Sequence, residues 1–203
     1  MRRRWIVGLA GVVLLAVVGF NTLRSDGSGS RGLALGTQLP PFAMPTAASG
    51  SDADANIATR PDSGPEGARP ACSVRGPEIL NVCELAERGP VVLAFLATRS
   101  GRCEQQVDVL DRIAPRHPRV QFAAVSVRGD HGELRRTVLE RGWRLPVGYD
   151  HDGAVANLYR VAVCPTVTFA GRGGEVAGTA LEFLDERALT TRVEALEQGR
   201  PLP

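Results

Sequence analysis

The sequence predicts an α/β fold, and three observations predict it. Val91–Ala97 (VVLAFLA) and Val120–Val127 (VQFAAVSV) are apolar runs of strand length. Such runs suit strands of a parallel sheet that is covered on both faces. Between them, Cys103, Val107, Leu110 and Ala114 recur along one helical stripe. Near the C-terminus, Val167–Ala170 and Glu175–Gly178 bracket the Gly171–Gly174 turn, which is the pattern of a β-hairpin. Strand, helix, strand, helix, hairpin and helix together make an α/β sandwich of about 130 residues.

The elements follow in chain order. Met1–Arg4 read MRRR, and Trp5–Phe20 follow without a charge. A basic head before an apolar run is a signal peptide or a signal anchor. Extended to Leu23 the run is about 19 residues, close to the ~20 that span a bilayer. No A-x-A cleavage site follows, and no Cys offers a lipid attachment point. Residues 1–23 are therefore read as an uncleaved, single-pass membrane anchor, with secretion after signal cleavage as the alternative. The arginines stay cytoplasmic by the positive-inside bias, so the chain from Arg24 onward is extracytoplasmic. Residues 24–70 read as a tether and flexible linker. Asn21–Gly32 is rich in Ser, Gly and Arg, Leu33–Thr46 is more apolar but broken by Pro40 and Pro41, and Ala47–Pro70 has few large apolar residues. The compact domain is expected over 71–199.

Within it, Gly89-Pro90 precedes the first core strand, and Pro118 follows the Cys103 helix. Leu134 and Val138 stripe a second helix that Gly142 ends. Leu145–Tyr149 is a short strand and Ala154–Tyr159 a short helix. Asp185 is the expected N-cap of a last helix striped by Leu189, Val193 and Leu196.

Composition narrows the function classes. Of 203 residues, 43% are hydrophobic and 23% charged, which is ordinary globular usage. All 24 basic residues are Arg, so lysine-dependent chemistry is excluded. The net charge of +2 belongs to the N-terminus. Without Arg2, Arg3, Arg4, Arg24, Arg31 and Asp26, residues 32–203 hold 19 Arg against 21 acids, a charge of −2. Nothing here suggests nucleic acid as a partner. His117, His131 and His151 are far apart and no HExxH or clustered Cys/His spacing occurs, so neither a metal nor a cofactor is expected. Asp150-His-Asp-Gly153 lacks the third acid and the closing Glu of a calcium loop and reads as a turn before a helix. Trp143 and Tyr149 read as packing residues, and the Arg residues mostly as solvated helix faces interleaved with acids.

Three segments carry a family resemblance. Gly89–Thr98 (GPVVLAFLAT) leads into Arg99-Ser-Gly-Arg-Cys103, and Tyr159–Thr166 (YRVAVCPT) follows at a distance. Their order resembles the thioredoxin fold, a central mixed β-sheet flanked by helices. Within that fold it resembles the membrane-anchored TlpA/ResA-type thiol–disulfide oxidoreductases and the AhpC/TSA redoxins. The resemblance covers most of Leu33–Leu196. It implies that Pro165 is the cis-proline and that Cys164, just before it, faces the active-site Cys. It implies protein thiols and disulfides, or peroxide, as reaction partners, and a membrane electron donor as a further partner.

The departure is chemical. The family's first Cys is Ser100 here, and Ser-x-x-Cys cannot close a disulfide within the motif. A Ser hydroxyl has no accessible oxyanion at neutral pH without a base, so it cannot replace a thiolate. Cys103 remains as the candidate nucleophile in the first turn of a helix, where a thiolate is favoured. Ser100 would cap that helix and donate to the thiolate. Arg99 and Arg102 would favour the thiolate if they point toward it, and with Pro165 they are the candidate substrate-binding residues. A Cys103–Cys164 pair is then a redox-active disulfide, a permanent cross-link or two buried thiols. Peroxiredoxins of this superfamily use Thr/Ser-x-x-Cys, which Ser100 and Cys103 match, but their upstream proline is Leu96 here. A peroxidase, or an inactive redoxin kept as a binding domain, are the alternative readings. Cys72 and Cys83, with ten residues between them and flanking Gly76-Pro77, favour a local structural disulfide.

Overall fold

The computed structural model describes residues 32–63, 69–127 and 129–203. The anchor read over 1–23 lies outside them. Among the described residues no helix is long and apolar enough to cross a membrane.

The first strands among the described residues are β1 (Ala43–Pro45) and β2 (Ile79–Asn81), a short antiparallel pair. Helix α1 (Val82–Arg88) follows at once, and its N-cap Asn81 accepts a hydrogen bond from the Glu84 amide. The sheet proper begins with β3 (Val91–Leu96), every residue of which is buried. Helix α2 (Gly101–Ile113) leads to β4 (Gln121–Val127). Helix α3 (His131–Arg141) is capped by Asp130, which accepts from the Glu133 amide, and closed by Gly142 in the left-handed region at φ 67°. β5 (Val147–Asp150), α4 (Ala154–Leu158), β6 (Thr166–Ala170), β7 (Val176–Ala180) and α5 (Glu186–Glu197) complete the order. Asp185 caps α5 by accepting from the Ala188 amide.

Five strands form one mixed sheet in the order β5-β4-β3-β6-β7. β3, β4 and β5 are parallel, while β6 and β7 return antiparallel. The alternation of side chains along β3 and β4 divides the core into two layers. Val92, Ala94 and Leu96 pack with Cys103, Val107 and Leu110 of α2 and with Leu189 and Val193 of α5. Val91, Leu93 and Phe95 face Phe42, Met44, Leu85 and Tyr159 on the other side. This is why both central strands lack a polar face in sequence.

Two expectations are corrected. The strand expected over Leu145–Tyr149 begins at Val147 and runs to Asp150. Pro146 has no N–H for the ladder, and the Leu145 amide is already bonded to Asp111 at 2.9 Å. The second correction is larger. Residues 33–58, expected as part of a tether and linker over 24–70, are built into the body. Gly36 and Leu39 donate to the Val176 and Gly174 carbonyls at the β7 edge, and Ala47 donates to the Val147 carbonyl at the β5 edge. Phe42, Ala55 and Ala58 are fully buried. Asn56 exchanges backbone bonds with Ala43 at 2.8 and 2.9 Å, and its side chain spans to the Arg69 carbonyl and the Ala58 amide. Leu39, Phe42 and Met44 enter the core from a stretch broken by Pro40, Pro41 and Pro45, and the rest is held by small side chains and one Asn, which is why the segment shows no apolar periodicity. Both edges of the sheet are thereby covered. Gly148 is required where this layer crosses β5, because a Cβ there would collide with Met44 Sδ and with Leu80 Cδ2.

The same segment is pinned over the C-terminal ends of the parallel strands. His131 stacks on Tyr149 with ring centroids 4.7 Å apart, and His151 lies on the same tyrosine at 5.7 Å. His131 Nδ1 meets Asp52 at 2.7 Å and His151 Nδ1 meets Asp54 at 2.8 Å. Hydrogen bonding to Asp54 raises the His151 pKa above 6.5, with Asp152 and Asp52 adding in the same direction. A raised histidine pKa means that the His151–Asp54 contact is complete below the ordinary value and is lost as pH rises through the raised one. Proteolytic nicking within Ser49–Asp54 is therefore expected to accelerate as pH rises through the raised His151 range, measured against an unstructured peptide substrate. Asp54→Asn should remove that dependence.

Candidate functional site

The site forms where the C-terminal end of β3 turns into α2. Ser100 stands at the N-cap position, and its carbonyl accepts from the Cys103 and Glu104 amides at 2.9 and 3.0 Å. The expectation that its side chain also caps the helix is corrected: the hydroxyl makes no capping bond. It lies instead 2.9 Å from Cys103 Sγ. A disulfide sulfur carries no proton, so the hydroxyl is the donor here.

Cys103 is the third residue of α2 and is 1% exposed. It is joined to Cys164 by a disulfide with a Cα–Cα distance of 5.6 Å, inside the range such bonds require. The two residues are 61 apart in sequence. Cys164 precedes Pro165 through a cis peptide bond, immediately before β6. Pro165 itself is buried, whereas Val163 is 43% exposed and Leu181, at the end of β7, is 37% exposed. The structure thus brings Ser100, Cys103, Cys164 and Pro165 together. Cys72 and Cys83 are bonded elsewhere, with a Cα–Cα distance of 5.3 Å.

The two arginines are engaged away from the sulfur. Arg99 is 80% exposed at its side chain and pairs with Glu133 of α3 at 2.5 Å. The Arg102 guanidinium lies 5.7 Å from the Phe183 ring centroid, a cation–π contact. An exposed guanidinium finds a fixed carboxylate or ring more readily than a buried sulfur, so the contacts these side chains make are not with Cys103.

Sequence reasoning missed Glu104 and Arg141. Glu104 follows Cys103 directly and is 8% exposed. The only signal was an acid four residues after a serine that opens a helix. A charged helix face with interleaved arginines reads as solvated, and that reading is corrected here: Arg141 reaches both Glu104 and Asp108. The histidines engage carboxylates, His117 on Glu197 at 3.1 Å among them. Among the described residues no group of His, Cys, Asp or Glu is placed to hold a metal ion. Asp150 is buried, accepts from the Val155 and Ala156 amides, and has its pKa raised by that burial. It shapes the turn into α4.

No family model and no curated protein matches the sequence. Solved structures do match. A secreted disulfide oxidoreductase of Mycobacterium tuberculosis, homologous to Escherichia coli DsbE, aligns with a TM-score of 0.53 and 23% identity over 58% of this chain and 89% of that one. DsbF of the same organism aligns with a TM-score of 0.58 and 22% identity over 80% and 99%. The peroxidoxin BcpB, also from Mycobacterium tuberculosis, gives 0.58 and 15% over 84% and 97%. The chain is similar to all three in fold, which is thioredoxin-like with a central mixed sheet flanked by helices.

Proposed function

We propose that the protein is a thiol–disulfide oxidoreductase whose exchanging pair, Cys103 and Cys164, is assembled from two segments. The observation that carries this reading is the Cys103–Cys164 disulfide at the start of α2, with the Ser100 hydroxyl on its Cys103 sulfur. It occupies the end of β3 where the lost Cys-x-x-Cys would sit. In the reduced form the Cys103 thiolate attacks a partner disulfide, forms a mixed disulfide and releases one partner thiolate. The Cys164 thiolate then attacks the Cys103 sulfur, releases the second partner thiolate and closes the Cys103–Cys164 bond. Two electrons pass to the partner, and the same steps run backward when the partner is a dithiol. The helix N-terminus and the Ser100 hydroxyl both favour the Cys103 thiolate. Val163, exposed and adjacent to Cys164, offers an apolar contact beside the bond to an extended partner segment.

The reading places the domain outside the cytoplasm on an N-terminal anchor. The basic head and apolar run of residues 1–23 support this, as do two disulfides, which persist in oxidising compartments. A membrane electron donor is then the natural source of reductant.

Differential alkylation with mass mapping tests the reading. Cys103 and Cys164 should become labelled under a redox poise that reduces thioredoxin and should relink on oxidation. A bond that resists that poise is a permanent cross-link, and the oxidoreductase assignment falls. Peroxide consumption that requires Cys103 would move the assignment to a peroxidase.

A further inference from the structure

Glu104 sits where a carboxylate is rarely found, buried and one residue beyond the candidate nucleophile. Both its oxygens are occupied. Oε1 accepts the Arg99 backbone N–H at 2.9 Å, and Oε2 accepts from the Arg141 guanidinium at 2.5 Å. Arg141 is itself held by Asp108 at 2.7 Å, and the other Asp108 oxygen accepts from Trp143 Nε1 at 2.7 Å. The carboxylate is therefore fixed from the far end of α3 and cannot swing.

What it holds is a strained turn. Arg99 has φ 59°, left-handed backbone that disfavours a non-glycine residue. In an ordinary capping box the N-cap serine accepts from the N3 amide and the N3 glutamate reaches back to the N-cap amide. Here Cys103 occupies N3. The glutamate stands one position later and reaches back one residue further, to Arg99. The Ser100 side chain is left without a capping partner and meets the Cys103 sulfur.

We propose that Glu104, clamped by Arg141, is a positioning residue for the thiol site, fixing the Arg99 turn so that the Ser100 hydroxyl addresses Cys103 rather than the helix amides. The inference rests on the reading of Cys103 as the exchanging thiol. Its consequence is a coupling: the benefit of the Ser100 hydroxyl to the Cys103 thiolate depends on Glu104.

The test is a double-mutant cycle on the fully reduced chain, read as the rate of Cys103 alkylation by iodoacetamide across pH, with the site identified by mass mapping. Ser100→Ala should slow alkylation near neutral pH by roughly tenfold and raise the pH midpoint, because the thiolate loses a donor. In a Glu104→Ala background the same serine change should alter the rate by less than about twofold, since the hydroxyl is no longer aimed. Glu104→Gln keeps an acceptor for the Arg99 amide and should restore most of the tenfold effect. Arg141→Gln, which unclamps the carboxylate but leaves it in place, should weaken the coupling and serves if Glu104→Ala does not fold. Equal Ser100→Ala effects in all backgrounds would overturn the positioning role while leaving Cys103 reactive. A wild-type Cys103 that alkylates no faster than a free peptide thiol at any pH would overturn both this and the oxidoreductase reading.

Discussion

Cys103→Ser should abolish disulfide exchange, with a loss on the order of 10³-fold or more in turnover of a small disulfide substrate. The hydroxyl that replaces the thiol does not ionise near neutrality, and Ser100 has no adjacent base to activate it in compensation. Cys164→Ser should behave differently. It leaves the attacking sulfur at the start of α2 with its hydroxyl donor, so the first step proceeds. It removes the sulfur that releases the partner, so the mixed disulfide should accumulate and appear in intact-mass spectra under non-reducing conditions. The two variants together separate the roles of two sulfurs that are bonded to each other in the resting structure. A Cys164→Ser protein that turns over as fast as wild type would show that Cys164 resolves nothing. Exchange surviving in Cys103→Ser would move the nucleophile to another cysteine.

The layers of this fold were legible where the core is large and apolar. Val91–Leu96 is buried along its whole length and β4 is buried from Phe122 to Ser126, so both appear in the sequence as largely apolar runs. The α2 stripe and the C-terminal hairpin were legible for the same reason, since their periods match the faces they bury. Residues 33–58 were not, because prolines interrupt the buried Leu39, Phe42 and Met44, while backbone bonds at the two sheet edges and small alanines hold the rest without a periodic trace. At the site, Ser100, Cys103, Cys164 and Pro165 could be named from motif order. The direction of the Ser100 hydroxyl could not, since it depends on Glu104 competing for the turn and on an arginine more than thirty residues away. Long-range ion pairs carry no signature in a helix face that is also charged on its exposed side.

The second disulfide should show the opposite behaviour from the first. Replacing Cys72 and Cys83 together by serine should lower stability by about 3 kcal/mol and leave Cys103 exchange intact, because closing a ring of about 12 residues removes that much freedom from the unfolded chain in the entropy model. The folded loop does not depend on the bond alone. Asn81 donates to the Ala71 and Val74 carbonyls at 2.9 and 2.8 Å, and Arg75 pairs with Glu87 across the same loop. The native conformation should therefore persist without the cross-link, and the loss should act through the unfolded state. A chemical denaturation series reads this directly as a lower midpoint with native spectra retained at zero denaturant. If the double variant keeps its midpoint but loses exchange at Cys103, the staple is a redox group, and the division of labour between the two disulfides is reversed.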